Sequence, residues 1–169
     1  ETISLGIGQG YNNFTMLQLA SATATLANGG IQYRPHLGMA TMDAMTREPH
    51  PIEQSPPVDL GFKPAHVDVI KRAMVAVTQG GTSTRVFAGA RYLSGGKTGT
   101  AQAVTIGQKE RYNAARMEER QRDHALYIAF APAEAPRIAI AAIVENAGFG
   151  AAHAAPIVRR AFDYWLLGE

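Results

Sequence analysis

The sequence of 169 residues contains no cysteine and has a low share of charged residues, 18%. The absence of cysteine excludes disulfide scaffolds, thiolate zinc sites and cysteine nucleophiles, although it leaves the redox compartment open. The formal net charge of +2 provides no large basic surface, so we expect no nucleic-acid partner. Apolar residues make up 46% of the chain, which is enough to bury a core and excludes intrinsic disorder.

We also expect no signal peptide, no membrane-spanning run and no metal site within this sequence. Its most apolar stretch, residues 125–147, carries three charged side chains and two prolines, which excludes a transmembrane helix. The five histidines have no partner at ligand spacing, so we expect neither a metal nor another cofactor. Because the chain begins at Glu1 without a methionine, within sequence typical of folded protein, we expect it to be part of something longer.

The first predicted helix lies between a capping box and a glycine-rich stop. Thr15 and Gln18 have the spacing of the capping box, and Asn28 precedes two glycines that end the helix. The apolar positions at helical spacing between these signals are Leu19, Ala22 and Leu26.

Two further helices are predicted from their apolar stripes. The second begins at Pro64, which suits the first turn of a helix, and it ends at a pair of glycines, residues 80–81. The third runs from about Pro156 to Leu167. The stripes are Val67, Ile70, Met74 and Val77 in the second helix, with Lys71 and Arg72 outside it, and Val158, Ala161, Phe162 and Trp165 in the third.

The remaining segments predict a proline-rich connection and three strands. Residues 47–64 hold five of the nine prolines, which break both helices and strand ladders, so this segment is expected to be an extended surface connection. Strands are predicted over residues 96–104, 124–131 and 137–146, and the last two form a hairpin. The order of helix, helix, three strands and helix predicts a segregated α+β fold.

Residues 109–123 form a charged insertion between the first and second of these strands. They include nine charged residues, five positive and four negative. Mixed charge predicts a solvated loop or a short exposed helix, since such side chains do not enter a core. A partner-binding flap beside an active cleft is the alternative interpretation.

The residues most indicative of chemistry are 94–102, Ser-Gly-Gly-Lys-Thr-Gly-Thr-Ala-Gln. On a strand, alternation places the side chains of Thr98 and Thr100 on one face, and the glycines allow another chain or a substrate backbone to approach closely. Two hydroxyls, the Lys97 ammonium and unpaired backbone N–H groups suit a peptide-like ligand that carries a carboxylate. The alternative is a glycine-rich strand whose threonines serve only their own sheet.

Two other motifs overlap this stretch and are rejected. A phosphate-binding loop would need glycine at position 91, where Arg91 stands, and a helix after the motif. Ser94 and Lys97 have the S-x-x-K spacing of serine enzymes, but that pattern requires a helical turn, and the two intervening glycines are poor helix formers.

Four blocks of sequence resemble the transpeptidase domain of class B penicillin-binding proteins, in family order. They are residues 7–11 (Ile-Gly-Gln-Gly-Tyr), 16–20 (Met-Leu-Gln-Leu-Ala), 26–30 (Leu-Ala-Asn-Gly-Gly) and 96–102 (Gly-Lys-Thr-Gly-Thr-Ala-Gln). The resemblance covers nearly the whole chain. It is nearest to the elongation type, penicillin-binding protein 2, with the division type, penicillin-binding protein 3, as the alternative. It implies the serine β-lactamase-like fold, an antiparallel sheet flanked by helices.

The resemblance also implies a role for each residue of the strand. In the family, a serine is acylated by the penultimate D-alanine of a peptidoglycan stem peptide, and the acyl group then passes to an amine of a neighbouring stem. Lys97 would set the electrostatics around the nucleophile. Thr98 and Thr100, with Gly99 between them, would bind the terminal carboxylate of the stem peptide or of a β-lactam. The backbone N–H of Thr100 would be one of two oxyanion-hole donors.

The family's other two motifs are missing, because no usable S-x-x-K and no S-x-N occurs in the chain. In the family both lie upstream. Residues 1–169 are therefore expected to be the C-terminal part of one transpeptidase domain, without its first strands, its nucleophile or its base, and inactive alone. The alternative is a non-catalytic β-lactam-recognising or scaffold module that kept the strand and lost the nucleophile.

The partners implied by the resemblance are peptidoglycan stem peptides, β-lactams, the upstream part of the same domain and possible cell-elongation proteins. The implied location is the periplasmic face of the bacterial inner membrane, with an anchor outside this chain.

Overall fold

The computed structural model describes residues 13–101 and 118–169. In chain order its helices are α1 (Met16–Ala27), α2 (Pro64–Gln79), α3 (Thr84–Phe87) and α4 (Gly150–Leu167). Its strands are β1 (Ile31–Gln32), β2 (Ala40–Met42), β3 (Pro49–Pro51), β4 (Val58–Asp59), β5 (Gly95–Ala101), β6 (His124–Ala131) and β7 (Ile138–Val144). Within the described ranges, no helix is both long and apolar enough to span a membrane.

The main sheet consists of β5, β6 and β7, paired antiparallel in that order. One face packs against α4, through the alternate β6 residues Ala125, Tyr127, Ala129 and Ala131. The other face packs against α1 and α2, where Phe130 contacts Ala27 and Met74. Helices therefore cover both faces, which confirms the predicted α+β architecture with an antiparallel sheet flanked by helices.

Several predicted boundaries are confirmed. The Thr15 hydroxyl accepts from the N–H of Gln18 at 3.2 Å, and the Gln18 side chain accepts from the N–H of Thr15 at 2.8 Å, which completes the capping box. Pro64 is the first residue of α2, and Gly80 caps its C-terminus. Strand β6 has the predicted bounds, and β5 begins one residue before its prediction. Residues 102–104 of that prediction lie outside the described residues.

The buried face of α1 differs from the predicted stripe. Ala22 is exposed, whereas Thr23 and Thr25 are 3% and 6% exposed. Their hydroxyls donate to the carbonyls of Leu19 and Ser21, at 2.7 and 2.8 Å. A threonine that satisfies its hydroxyl within its own helix can be buried. The prediction is therefore wrong at Ala22, whereas Leu19 is half-buried and Leu26 packs against the core.

The predicted stripe of α2 is also wrong at two neighbouring positions. Ile70 is 48% exposed, while Lys71 is half-buried. The Lys71 ammonium donates to the carbonyl of Ala27 at 3.1 Å and lies 5.8 Å from the centre of the Phe130 ring. The last carbonyls of a helix have no partner within it, and a lysine stem can cross apolar surface to reach one.

Helix α4 begins at Gly150, six residues before its predicted start, and Pro156 lies inside it. The carbonyl that loses its partner to the proline belongs to Ala152, which is exposed and can bind water. Burial of the small residues in the first turns offsets this loss. The buried face is Gly150, Ala154, Ala155, Val158 and Phe162. Trp165 was wrongly assigned to this face, since it is 58% exposed.

The proline-rich segment lies on the surface as predicted, but it contains strands that were not expected. Strand β3 pairs antiparallel with β2, and β4 pairs with β1. The N–H of Ile52 donates to Met39 at 3.0 Å, so alternation turns the nitrogen atoms of Pro49 and Pro51 away from β2. Prolines are tolerated in an edge strand on that side, which is why they do not prevent the pairing.

Only residues 118–123 of the charged insertion lie in the described part of the chain. They include an exposed turn of 3₁₀ helix, Glu119–Gln121. Asp123 is 8% exposed, so the prediction of a wholly solvated segment is wrong at this residue. Asp123 immediately precedes β6, and its carbonyl accepts from the N–H of Gly148, beyond the end of β7, at 2.8 Å.

Candidate active site

The Lys-Thr-Gly-Thr sequence lies on β5, an edge strand of the sheet. One edge of β5 pairs with β6 in a register that sets Lys97 opposite Ile128 and Thr98 opposite Tyr127. Among the described residues, no strand pairs with the other edge. A free edge offers backbone N–H and C=O groups to an extended ligand.

The glycines that precede Lys97 accommodate aromatic rings of the sheet's own neighbouring strand. A Cβ at position 95 would lie 2.6 Å from Cζ of Phe130, and a Cβ at position 96 would lie 2.6 Å from Cζ of Tyr127. Both rings are fully buried. For Gly95 and Gly96, the expectation of an approaching substrate backbone is therefore wrong, because the space is occupied by the core.

Lys97 is exposed at the mouth of an open groove of about 600 Å³. The groove lies between β5 and the C-terminal end of α2, and its lining is Ala73, Ala76, Val77, Gln79, Gly80, Gly81, Thr82 and Lys97. The Lys97 ammonium donates to the carbonyl of Thr98 at 2.6 Å. In the described ranges no carboxylate pairs with it, so its positive charge is available to a ligand or to another part of the protein.

Thr98, Gly99 and Thr100 follow Lys97 on the same strand. Thr98 is half-buried, and its Oγ1 lies 3.2 Å from Oγ1 of Thr82, whereas Thr100 is exposed. Alternation gives the two threonines one face and Lys97 the other. Gly99 is confined, because a Cβ there would lie 3.2 Å from Cβ of Leu126. The structure thus brings the four predicted residues together on one edge.

Sequence reasoning missed the residues that attach this strand to the end of α2. The Thr78 hydroxyl donates to the carbonyl of Ser94 at 2.7 Å. The Ser83 hydroxyl donates to Val77 O at 3.1 Å, and its oxygen lies 2.8 Å from the Tyr127 hydroxyl. Burial raises the pKa of Tyr127. The available signal was the run of hydroxyl residues after Gly80, because α2 ends there and its turn must be held.

Ser94 is not an accessible nucleophile. Its side chain is 1% exposed, and it precedes a strand rather than lying on a helical turn with Lys97. The S-x-x-K spacing at this position is therefore a coincidence of sequence, as predicted. The Lys-Thr-Gly motif is likewise followed by strand up to Ala101, which excludes the helix that a phosphate-binding loop requires.

No cluster of three His, Asp or Glu side chains that could hold a metal ion occurs within residues 13–101 and 118–169. The groups near the groove are instead an ammonium, hydroxyls and backbone amides, which complement a carboxylate. An antiparallel sheet covered by helices, with this motif on a free edge, defines a penicillin-recognising class of domain.

The chain belongs to the transpeptidase family of penicillin-binding proteins. The family described as "Penicillin binding protein transpeptidase domain" matches residues 1–163. The chain is 46% identical to the peptidoglycan D,D-transpeptidase MrdA of Acinetobacter baumannii over 169 residues, which are 99% of this chain and 24% of that protein.

Solved structures agree with this assignment. The chain resembles PBP2 of Pseudomonas aeruginosa, solved in complex with WCK 5153, with a TM-score of 0.80 and 42% identity over 99% of this chain and 32% of the other. It also resembles PBP2 of Helicobacter pylori, solved in complex with MreC, with a TM-score of 0.74 and 26% identity over 99% of this chain and 28% of the other. The chain thus spans a quarter to a third of these relatives.

Proposed function

We propose that the protein containing this chain is a peptidoglycan D,D-transpeptidase of the elongation type. The observation that carries the proposal is the joint placement of Lys97, Thr98 and Thr100 at a free strand edge beside an open groove. The similarity to MrdA and to two PBP2 structures supports the elongation type over the division type.

In the proposed reaction, β5 binds the end of a stem peptide. The hydroxyls of Thr98 and Thr100 donate to its terminal carboxylate, and Gly99 lies between them in the same subsite. The N–H of Thr100 donates to the oxyanion that forms when a serine oxygen attacks the penultimate carbonyl. One such donor contributes about 3 kcal/mol to transition-state stabilisation in other acyl-transfer enzymes. The Lys97 ammonium stabilises the negative charge that develops near the nucleophile.

The nucleophilic serine and its base belong, in this proposal, to an upstream part of the same domain. Residues 1–169 would be the C-terminal portion of that domain, with residues 109–123 as a charged insertion. The buried position of Ser94 supports an outside source for the nucleophile. The peptide bond to the terminal D-alanine breaks as the acyl-enzyme forms, and an amine of a second stem then takes the acyl group and releases the serine.

The proposed partners and location follow from the same role. Stem peptides and β-lactams share the carboxylate that β5 would bind. The upstream part of the domain would cover the groove beside Lys97. The H. pylori PBP2 complex with MreC supports an elongation partner of that kind for this protein. The proposed role in peptidoglycan cross-linking supports a location on the periplasmic face of the bacterial inner membrane.

Labelling with a fluorescent penicillin tests the proposal. The full-length protein should form a covalent adduct that survives denaturation, and the isolated 169-residue chain should form none. Ser94→Ala serves as the matched control in the full-length protein, and it should leave labelling unchanged because this serine is buried. A full-length protein that is never labelled would favour a non-catalytic module. A labelled isolated chain would make Ser94 a candidate nucleophile again.

A further inference from the structure

In the described structure, Thr82 is the one side chain outside β5 that lies within hydrogen-bonding distance of a proposed carboxylate-binding hydroxyl. Its Oγ1 lies 3.2 Å from Oγ1 of Thr98. Thr82 belongs to the turn that follows α2, and it lines the same groove as Lys97. Thr82 therefore lies at the junction of this turn and the edge of β5.

The turn that carries Thr82 is held in place by its buried neighbour. Ser83 is fully buried, donates to Val77 O and contacts the hydroxyl of Tyr127 at 2.8 Å. Tyr127 in turn lies opposite Thr98 on the adjacent strand. Thr82 and Thr98 are thus attached to the same buried tyrosine, one through Ser83 and the other through the sheet.

The number of hydroxyl protons then fixes the direction of the contact. A threonine hydroxyl has one proton to donate and two lone pairs to accept with. A carboxylate only accepts, so Thr98 must donate its proton to a bound carboxylate. Thr98 can then only accept from Thr82, which must be the donor between the two hydroxyls. A hydroxyl that accepts one hydrogen bond also becomes a better donor in the next.

We propose that Thr82 is a positioning residue, which holds the Thr98 hydroxyl with its proton directed towards the ligand carboxylate. The inference rests on the proposed function, and it assigns a role to a residue outside the Lys-Thr-Gly-Thr sequence. Thr82 acts through Thr98 and makes no contact with the ligand.

The second-order rate constant of acylation by a penicillin, measured on the full-length protein, tests this role. Thr82→Val should reduce the rate constant about three- to tenfold, because it removes the orienting donor but keeps the β-branched shape. Thr82→Ser keeps the hydroxyl and should remain within about twofold of wild type. Thr84→Val is the matched control. Among the described residues, its hydroxyl donates only to Gly81 O at 2.8 Å, so its loss disturbs the same turn without reaching β5.

Two further arms separate positioning from a purely structural role. In a Thr98→Val background, Thr82→Val should cause no further loss, since its route of action is already removed. With the methyl ester of the same penicillin, which has no carboxylate, the loss caused by Thr82→Val should disappear. Equal losses with acid and ester, full additivity with Thr98→Val, or an unchanged rate would each overturn the inference. Absence of any acylation in the wild-type protein would instead overturn the proposed function, and this inference with it.

Discussion

The ring of Tyr127 lies against the backbone of Gly96, so that a Cβ at position 96 would stand 2.6 Å from Cζ and 2.9 Å from Cε1 of the tyrosine. Tyr127 is fully buried, and behind it the Phe87 ring is stacked with centroids 6.0 Å apart. The strand that carries the candidate site therefore rests directly on the core. A displacement of this ring would therefore shift the strand at Gly96, which lies two residues before Thr98.

Gly96→Ala should destabilise the full-length protein by about 1–3 kcal/mol, because the added methyl group overpacks a site whose neighbour is confined. Gly80→Ala is the matched control, since a Cβ there has no neighbour within 4 Å in the described part of the chain and Gly80 has a φ of −145°. Urea unfolding of both variants measures the difference. Equal unfolding midpoints for the two variants would show that the Tyr127 ring can move aside.

The buried hydroxyl pair of Ser83 and Tyr127 predicts an order of stability. Ser83→Ala leaves the Tyr127 hydroxyl buried without its partner, which costs about 1–3 kcal/mol. Tyr127→Phe removes the same contact, but Ser83 still donates to Val77 O, so about 1 kcal/mol is expected. Chemical denaturation of the two variants should therefore rank Ser83→Ala as the less stable protein. The reverse order would mean that the tyrosine hydroxyl has another partner.

The secondary structure was predictable from sequence where local signals and tertiary packing agree. The capping box at Thr15 and the proline at position 64 act within one helical turn, and both were placed correctly. Lys71 and Trp165 were misplaced, because their burial depends on contacts from distant parts of the chain. Pro156 misled the prediction because proline is usually excluded from a helix interior unless packing compensates.

The placement of the candidate site residues was predictable to the same extent. Lys97, Thr98 and Thr100 lie close together in sequence on one strand, so alternation alone predicts that the two threonines share a face, whereas the edge position of β5 follows from the sheet order. Thr82 and Ser83 lie some fifteen residues away in sequence, and only the packing of α2 against β5 brings them to the strand. The requirement for glycine at position 96 was also not predictable, since the ring that occupies the space of a Cβ there belongs to another strand.

Tyr92 predicts how stability responds to alkaline pH. Burial, and then the carboxylate of Asp163 that accepts its proton at 2.7 Å, raise the pKa of Tyr92 in the folded protein. The folded state therefore favours the neutral phenol. This contribution to stability is complete below the pKa of the unfolded chain, about 10, and is lost as the pH rises from there towards the folded pKa.

Tyr92→Phe should accordingly reduce the alkaline loss of stability. The variant loses the hydrogen bond to Asp163 at neutral pH, although Arg159 still pairs with that carboxylate at 2.8 Å. Between pH 9 and pH 11 its free energy of unfolding should fall less steeply than that of the wild type. Denaturant titrations across this range measure both slopes. Parallel curves would show that Tyr92 titrates at an ordinary pH.

The final prediction compares Thr98→Val with Thr100→Val in the full-length protein. Valine suits a strand, so each exchange should cost less than about 1.5 kcal/mol of stability. Thr98→Val removes a hydroxyl proposed to bind the ligand carboxylate, a bond worth about 1.5–3 kcal/mol, so acylation by a β-lactam should slow about ten- to hundredfold.

Thr100→Val should slow acylation less, because its proposed oxyanion donor is the backbone N–H, which valine retains. The half-buried Thr98 and the exposed Thr100 also differ in contacts, since only Thr98 has the Thr82 hydroxyl beside it. Acylation rates and thermal midpoints of both variants together distinguish a carboxylate site on β5 from threonines that serve only their own sheet. If the threonines serve only their own sheet, the midpoints will fall while both rates stay at the wild-type value, and β5 will not be the carboxylate site.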